Sequence, residues 1–319
     1  MNSTISKSDI KNFFKLPATL AFVTMLIIWA ASNVLIPGFG TFKHNATMLQ
    51  TSAYLGFIVI GQAIVVITGG IDMSVSSIVT LSSVVASACV QHGFGTTSAI
   101  LAALACSMLV GLVNATCINF LRIPPIIMTI AMMSLVEGVL LVMTNGTPPS
   151  GCSEGITFLS KGTPLGLPNV IWIWILFLAV FIWVVNKSKF GRYFYAIGSN
   201  ENTAKLSGVN VFSVKYMAYL ISGLCSGFAG VMILGNIGNT YLTIGTPYQA
   251  FSISAVVIGG ISISGGKGKY AGLIAGTMLV IILRDILNVL SISPAGREVF
   301  QGVLILLVLL AYGREKLTR

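Results

Sequence analysis

Residues 49–91 read LQTSAYLGFIVIGQAIVVITGGIDMSVSSIVTLSSVVASACVQ, and Asp72 is the one charged side chain among them. Two apolar runs, 49–68 and 73–91, each approach the roughly 20 residues an α-helix needs to cross a hydrocarbon core. Between them, Thr68-Gly-Gly-Ile-Asp-Met-Ser-Val-Ser-Ser77 brings two glycines, a carboxylate and four hydroxyls into apolar surroundings. In lipid every backbone N–H and C=O needs a partner, so this interruption predicts a broken helix whose released groups are met by Ser and Thr. Gly69, Gly70, Asp72 and Ser74 are its candidate functional residues. A short acidic side chain before a helix is also a favoured N-cap, and capping of the third span by Asp72 is preferred here over a proton or cation site.

Outward from this stretch, further apolar runs lie at 20–36, 98–120, 125–143, 169–186, 212–235, 249–264, 270–290 and 298–312. About ten transmembrane helices follow. The composition agrees: charged residues make up 8 % of the 319, and hydrophobic ones 55 %, where a soluble domain carries about 25 % charge. A soluble enzyme, a disordered chain, a secreted disulfide scaffold and a nucleic-acid binder are excluded. Cys89, Cys106, Cys117 and Cys225 sit in apolar runs and only Cys152 in a polar loop, so no disulfide framework is implied. His44 and His92 are too few to build a catalytic metal site. The fold class is all-α integral membrane, with 1–319 as a single transmembrane domain.

The net charge of +10 encodes orientation, because Lys and Arg concentrate on the cytoplasmic side. With the N-terminus inside, fourteen basic residues fall inside, among them Lys7, Lys11, Lys15, Arg122, Lys187, Lys189, Arg192, Lys205, Lys215, Lys267, Lys269 and Arg314. Only Lys43, Lys161 and Arg297 fall outside. Both termini are therefore expected in the cytoplasm. In this threading spans two to five and seven to ten enter from opposite sides, which predicts an inverted repeat of the kind found in alternating-access transporters. The longest outer connection, Thr144 to Pro168, is rich in Pro and Gly and reads as an ordered loop or lid.

The inner loop at 186–211 carries helix signals of its own. Ser199 or Asn200 can serve as N-cap, Glu201 suits the positive first turn, Lys205 the last turn, and Gly208 the stop. A helix of about two turns on the membrane surface is predicted. Two defined caps around so short a segment favour a docking element over an ordinary basic loop.

Three stretches carry a family resemblance: Gly69-Gly-Ile-Asp-Met-Ser-Val75; Tyr195-Ala-Ile-Gly-Ser-Asn-Glu-Asn-Thr-Ala-Lys-Leu-Ser-Gly-Val-Asn-Val211; and Ala255-Val-Val-Ile-Gly-Gly-Ile-Ser-Ile-Ser-Gly-Gly-Lys-Gly268. In this order and spacing they resemble the permease subunits of ribose-type bacterial ABC sugar importers, over nearly the whole chain. The resemblance implies about ten spans in the bacterial inner membrane and pairing with a second permease copy or a related permease. It also implies a periplasmic substrate-binding protein and a cytoplasmic ABC ATPase with two nucleotide-binding modules. ATP and Mg would then sit on that ATPase, with no cofactor on this chain. By the same resemblance, Asn200, Glu201, Ala204, Ser207 and Gly208 belong to a coupling helix that seats in the ATPase. Glu137-Gly138 stands where the family frequently has Arg-Gly.

An ionisable group inside a span normally faces a partner or a wet path. Glu137 lies about 18 Å up the fifth span and Arg284 about 21 Å up the ninth, at about 1.5 Å per residue, so an ion pair between them is expected. Asn236, Asn239, Tyr241 and Gln249, polar residues near the outer half, are candidates for the translocation path. Gly266-Lys-Gly-Lys-Tyr-Ala271 formally fits a dinucleotide fingerprint, but it follows a membrane span and not a Rossmann strand, and no Walker A run is present. The leading function is translocation of a small polar solute, a monosaccharide by resemblance, without covalent chemistry. The alternative is a proton- or sodium-coupled transporter using Asp72, Glu137 and Asp285. A membrane hydrolase would need an H-E-x-x-H or G-x-S-x-G run, and the chain has neither.

Overall fold

The computed structural model describes residues 17–293, with 295–297, 299–300, 302–303 and 306 beyond them. Twelve helices and no strand occur among the described residues: α1 Pro17–Leu35, α2 Phe42–Ile67, α3 Val75–Gln91, α4 Thr96–Phe120, α5 Pro125–Thr144, α6 Glu154–Lys161, α7 Asn169–Lys187, α8 Lys189–Ser199, α9 Glu201–Leu206, α10 Val211–Ile237, α11 Thr246–Ile258 and α12 Gly272–Val289. Seven of them, α1, α2, α4, α5, α7, α10 and α12, are long and apolar enough to cross a membrane. The sequence-predicted spans fall on helices as far as the ninth. The tenth, at 298–312, lies largely outside the described residues, and Lys7, Lys11, Lys15, Arg314, Lys316 and Arg319 lie outside them altogether.

The eighth span departs from expectation. The run 249–264 reads as one helix in hydropathy, but α11 stops at Ile258, and its 13 residues reach only about 20 Å. Gly259 and Gly260 end it, and residues 259–268 form a glycine-rich turn in which the Gly260 φ is +86°. Glycine is the residue that takes this left-handed conformation without steric penalty. Two helices were not anticipated, α8 in the inner loop and α6 in the outer connection. The latter is capped by the Ser153 side chain, which accepts from the Ile156 N–H.

Two helices make the centre. The most apolar window of α2 is 94 % buried and that of α10 is 72 %, against 22 % for α5. Glycines on both helices let their neighbours approach closely. On α10, Gly223 lies against the carbonyl of Ser107 and Gly230 against that of Val79, where an added Cβ would sit 2.5 and 2.3 Å from the oxygens. Close approach of this kind is how helices associate in lipid, where the hydrophobic effect no longer draws them together. The leucines, valines and isoleucines of α1, α5 and α7 instead stay exposed, including Leu26, Val142 and Leu176, as a lipid-facing surface requires. The α6 helix is not a loose lid: Ile156 and Ser160 are buried, and the Ser160 hydroxyl donates to the Met232 carbonyl of α10 at 2.7 Å.

Each central helix is followed by a break and a shorter helix. The 26 residues of α2 lead through 68–74 into the 17-residue α3, and the 27 of α10 lead through 238–245 into the 13-residue α11. Chain direction places the first break at the α8–α9 end of the bundle and the second at the α6 end.

Candidate functional site

At the first break, Gly69 turns the chain with φ +85°, and Gly70 lies so close to the Tyr219 hydroxyl that a Cβ would come within 2.7 Å of it. The chain then re-enters the bundle and buries Asp72 completely. Asp72 Oδ1 accepts from the Ser74 N–H at 3.0 Å and the Ser74 hydroxyl at 2.6 Å, and Oδ2 accepts from the Ser222 hydroxyl at 2.7 Å. Asn114 Nδ2 in turn donates to Ser74 Oγ at 2.9 Å, and the Met73 N–H donates to Thr129 Oγ1 at 3.0 Å. The N-cap of α3 is Ser74, which makes no capping bond with its own side chain. The expected capping by Asp72 is thus displaced two residues upstream: it holds the turn that leads into the helix. Ser222 is eleven residues into α10, so this carboxylate sits about 16 Å inside the bundle. Its bonds join the break to α10, and through Ser74 to α4.

The second break borders a cavity of about 210 Å³ at the α6 end. Thr51 and Tyr54 of α2, Asn236 of α10, Tyr241 of the break, Tyr248 of α11 and Arg284 of α12 supply its polar lining. Gln50 Nε2 donates to Tyr54 Oη at 2.9 Å and to Asn236 Oδ1 at 3.3 Å, while the Tyr54 and Ser160 hydroxyls are 2.8 Å apart. With its oxygen accepting from Gln50, Asn236 keeps its amide N–H groups as donors. Of the four path candidates, the cavity gathers Asn236 and Tyr241. Asn239 instead accepts from the Gly151 N–H at 3.0 Å and ties down the outer connection. Gln249 reaches Met73 Sδ at 3.5 Å and links α11 to the first break.

The expected Glu137–Arg284 ion pair is not formed. The ion pairs among the described residues are Glu201–Lys215 at 2.8 Å and His44–Asp285 at 3.9 Å, the latter counting as charged only if His44 is protonated. Equal depth along two spans is not proximity: Glu137 is exposed on peripheral α5, whereas Arg284 points into the cavity with its guanidinium 5.3 Å from the Phe251 ring centre. The signal that could have placed Arg284 in the lining is the rule already used for it, that an ionisable group inside a span faces either a partner or a wet path. Tyr54 and Tyr248 carry no such signal, since aromatic residues in apolar runs are more often core.

At the opposite end, α9 has the caps its sequence implies. The Asn200 side chain accepts from the Thr203 N–H at 2.9 Å, Glu201 and Lys205 occupy the first and last turns, and Gly208 follows with φ +82°. Ala204 is buried, and Ser207 Oγ donates to the Thr203 carbonyl at 2.9 Å. Glu201 is bound to Lys215 of α10, so the short helix is tied to one of the two central ones. The adjoining α8 fills the junction of α2 with the turn after α11. Gly198 touches the Ile67 carbonyl, where a Cβ would sit at 1.7 Å, and the Gly266 N–H donates to that same carbonyl at 2.9 Å. Tyr195 donates to the Gly268 carbonyl at 2.9 Å, and burial pushes its hydroxyl up to about 12, which keeps it a donor.

Among the described residues no group of three His, Cys, Asp or Glu side chains could hold a metal ion. The arrangement is a central rod, α10, with a polar cavity at one end and a capped surface helix at the other. Known proteins are similar to the chain in sequence. The family model for the branched-chain amino acid transport system / permease component matches residues 45–309. Ribose import permease protein RbsC of Escherichia coli (strain K12) is 33 % identical over 301 residues, 93 % of this chain and 94 % of that protein. The protein of the same name from Bacillus subtilis (strain 168) is 34 % identical over 292 residues, 91 % and 90 % of the two chains. Autoinducer 2 import system permease protein LsrC of Yersinia pestis (strain Pestoides F) is 29 % identical over 294 residues, 92 % and 84 %. No solved structure matches the chain. The resemblance to ribose-type permeases read from three motifs therefore extends along 93 % of the chain, and with the family model spanning both breaks, the cavity and α9, the protein belongs to the branched-chain amino acid transport system / permease component family.

Proposed function

We propose that the chain is the membrane-spanning subunit of a binding-protein-dependent ABC importer, moving a small polar solute of monosaccharide size by alternating access. One observation carries the reading: α10 joins the cavity to the docking element. Lys215 holds α9, and Asn236 lines the cavity 21 residues further along the same helix, a separation of about 30 Å. A push on α9 is a push on one wall of the cavity. In this reading the α8–α9 end is cytoplasmic, as are both termini, and segment 186–211 seats in an ATPase with two nucleotide-binding modules. ATP and Mg act there, while this chain binds no cofactor. A periplasmic binding protein delivers solute at the α6 end, and a second permease copy or a related permease completes the path. ATP binding would bias two conformations through differential contacts at α9.

The names of the relatives, import permeases for ribose and for autoinducer 2, support a solute of this size and polarity. The ion-coupled alternative is weaker on its own residues. Asp72 accepts hydrogen bonds on both oxygens without lining the cavity, and Glu137 lies on the outer face of the bundle.

Reconstitution of the permease with its ATPase and binding protein tests the proposal. Deleting residues 200–207 should abolish ATPase docking and ATP-driven uptake of labelled sugar while the apolar spans still insert. Glu201→Lys should weaken both. Full coupling after the deletion would reject the mechanism. Labelling of a Lys205→Cys probe only from the periplasmic side would overturn the orientation.

A further inference from the structure

The cavity lining is uniform in charge. Among its residues Arg284 alone is ionised at neutral pH, and no Asp or Glu faces it. Asp285, next in sequence, points about 100° away around the helix and is held toward His44 of α2. The guanidinium has neither a hydrogen bond nor an ion pair among the described residues; it lies against the Phe251 ring, with the Tyr248 hydroxyl and the Asp285 carboxyl near enough to feel its charge. Twelve residues into α12, it lies about 18 Å from that helix's first residue. A cation with no ion-pair partner among the described residues, at such depth, is costly in a membrane protein and is normally kept for a ligand or an ion path. Arginine stays protonated in proteins and presents a planar fork suited to two oxygens of a carboxylate or phosphate.

The neighbouring groups have the same polarity. Asn236 offers amide N–H groups because Gln50 occupies its oxygen, and the hydroxyls of Tyr241 and Tyr248 border the same space. A lining that donates and carries net positive charge favours electron-rich oxygen. The volume, about 210 Å³, is below the roughly 300–1,000 Å³ of sites for drug-sized ligands, which limits the occupant to a small molecule.

We infer that the cavity is a specificity site for a small polyhydroxylated solute bearing an anionic group, a sugar acid or a sugar phosphate, with Arg284 as the residue that recognises the anion. The inference rests on the reading of the chain as a solute importer and narrows its substrate class. Arg284 binds the anion, Asn236 and the two tyrosines bind hydroxyls, and Phe251 keeps the guanidinium facing the cavity.

Equilibrium binding to the purified permease in lipid nanodiscs tests this without the ATPase or the binding protein. The probes are radiolabelled D-ribose, D-ribonate, D-ribose 5-phosphate, D-galactose and D-galacturonate, measured against the wild type, Arg284→Lys and Arg284→Gln. At least one anionic sugar should bind tenfold or more tightly than its neutral parent, and ribonate against ribose 5-phosphate decides between carboxylate and phosphate. Arg284→Gln should remove that preference, while Arg284→Lys, which keeps the charge but not the fork, should retain part of it. Equal binding of every anion and its parent, no binding of any anion, or an unchanged preference in Arg284→Gln would overturn the inference. Failure of ATP-driven uptake in the complete complex would count against the importer reading instead, since binding to the permease alone does not depend on it.

Discussion

Asp72 and Arg284 are both ionisable side chains inside a bundle made for lipid, yet they are treated oppositely. Asp72 is completely buried, and its oxygens accept from two hydroxyls and a backbone N–H within 3.0 Å. Arg284 is only half-buried, rests on an aromatic ring and borders empty space. A charge whose hydrogen-bonding capacity is met by its own chain serves as a structural tie, and one left unmet at a cavity is available to a ligand. The comparison also separates two roles for broken helices. The break at 68–74 is closed by its side chains, whereas the break at 238–245 leaves room beside it.

The largest expected effect is on the closed side. Asp72→Leu would leave three donors without their acceptor, at about 1–3 kcal/mol each, so the thermal midpoint of the detergent-solubilised protein should fall by roughly 10 °C. Asp72→Asn, which keeps one strong acceptor, should recover part of that loss. A Leu variant as stable as the wild type would remove the structural role. Next is the junction under α8: Gly198→Ala places a methyl group against the Ile67 carbonyl, and overpacking of this kind costs about 1–3 kcal/mol. Its midpoint should drop less than that of Asp72→Leu, and ATPase docking should weaken because α9 follows directly.

On the open side the changes in stability should be small. Arg284→Gln forfeits a cation–π contact of about 0.5–2 kcal/mol, so its midpoint should stay within a few degrees of the wild type. A loss matching that of Asp72→Leu would make both charges structural and collapse the distinction. Smallest is Lys215→Met, which breaks the pair with Glu201. Exposed pairs contribute about 0–1 kcal/mol, and Glu201 is 53 % exposed. Circular dichroism melts should barely move, while coupling measured in the reconstituted complex should become less sensitive to salt.

How much of this was legible beforehand follows from the kind of physics each feature obeys. Spans, breaks and caps are local. Runs of apolar residues, the glycines at 69 and 70, and the Asn200, Glu201, Lys205 and Gly208 signals each act within a few residues of themselves, and those within the described residues appear as helices or turns. The end of α11 was misread because Ala255 to Ile261 is apolar throughout, and hydropathy does not register that Gly259 and Gly260 stop the helix. The α6 helix, eight residues long, does carry local signals, with Ser153 as N-cap, Glu154 in the first turn and Lys161 in the last, and they are masked in the sequence by the Pro- and Gly-rich residues of 144–168 on either side.

Pairing is where one-dimensional reasoning ended. Glu137 and Arg284 have the right charges and similar depths, but depth along a helix says nothing about the direction in which a side chain leaves it or which helices are neighbours. By itself the sequence determined that this is a many-span helical permease, that the chain breaks at 68–77, and that a capped helix stands at the well-charged end. Hydrophobicity, backbone satisfaction in lipid and helix capping are local and leave their mark on composition. Only the tertiary structure decided that Asp72 is enclosed, that Arg284 faces a cavity, and that α10 links that cavity to α9. Those outcomes depend on which small residues allow which helices to approach, a property of pairs of surfaces and not of any single segment.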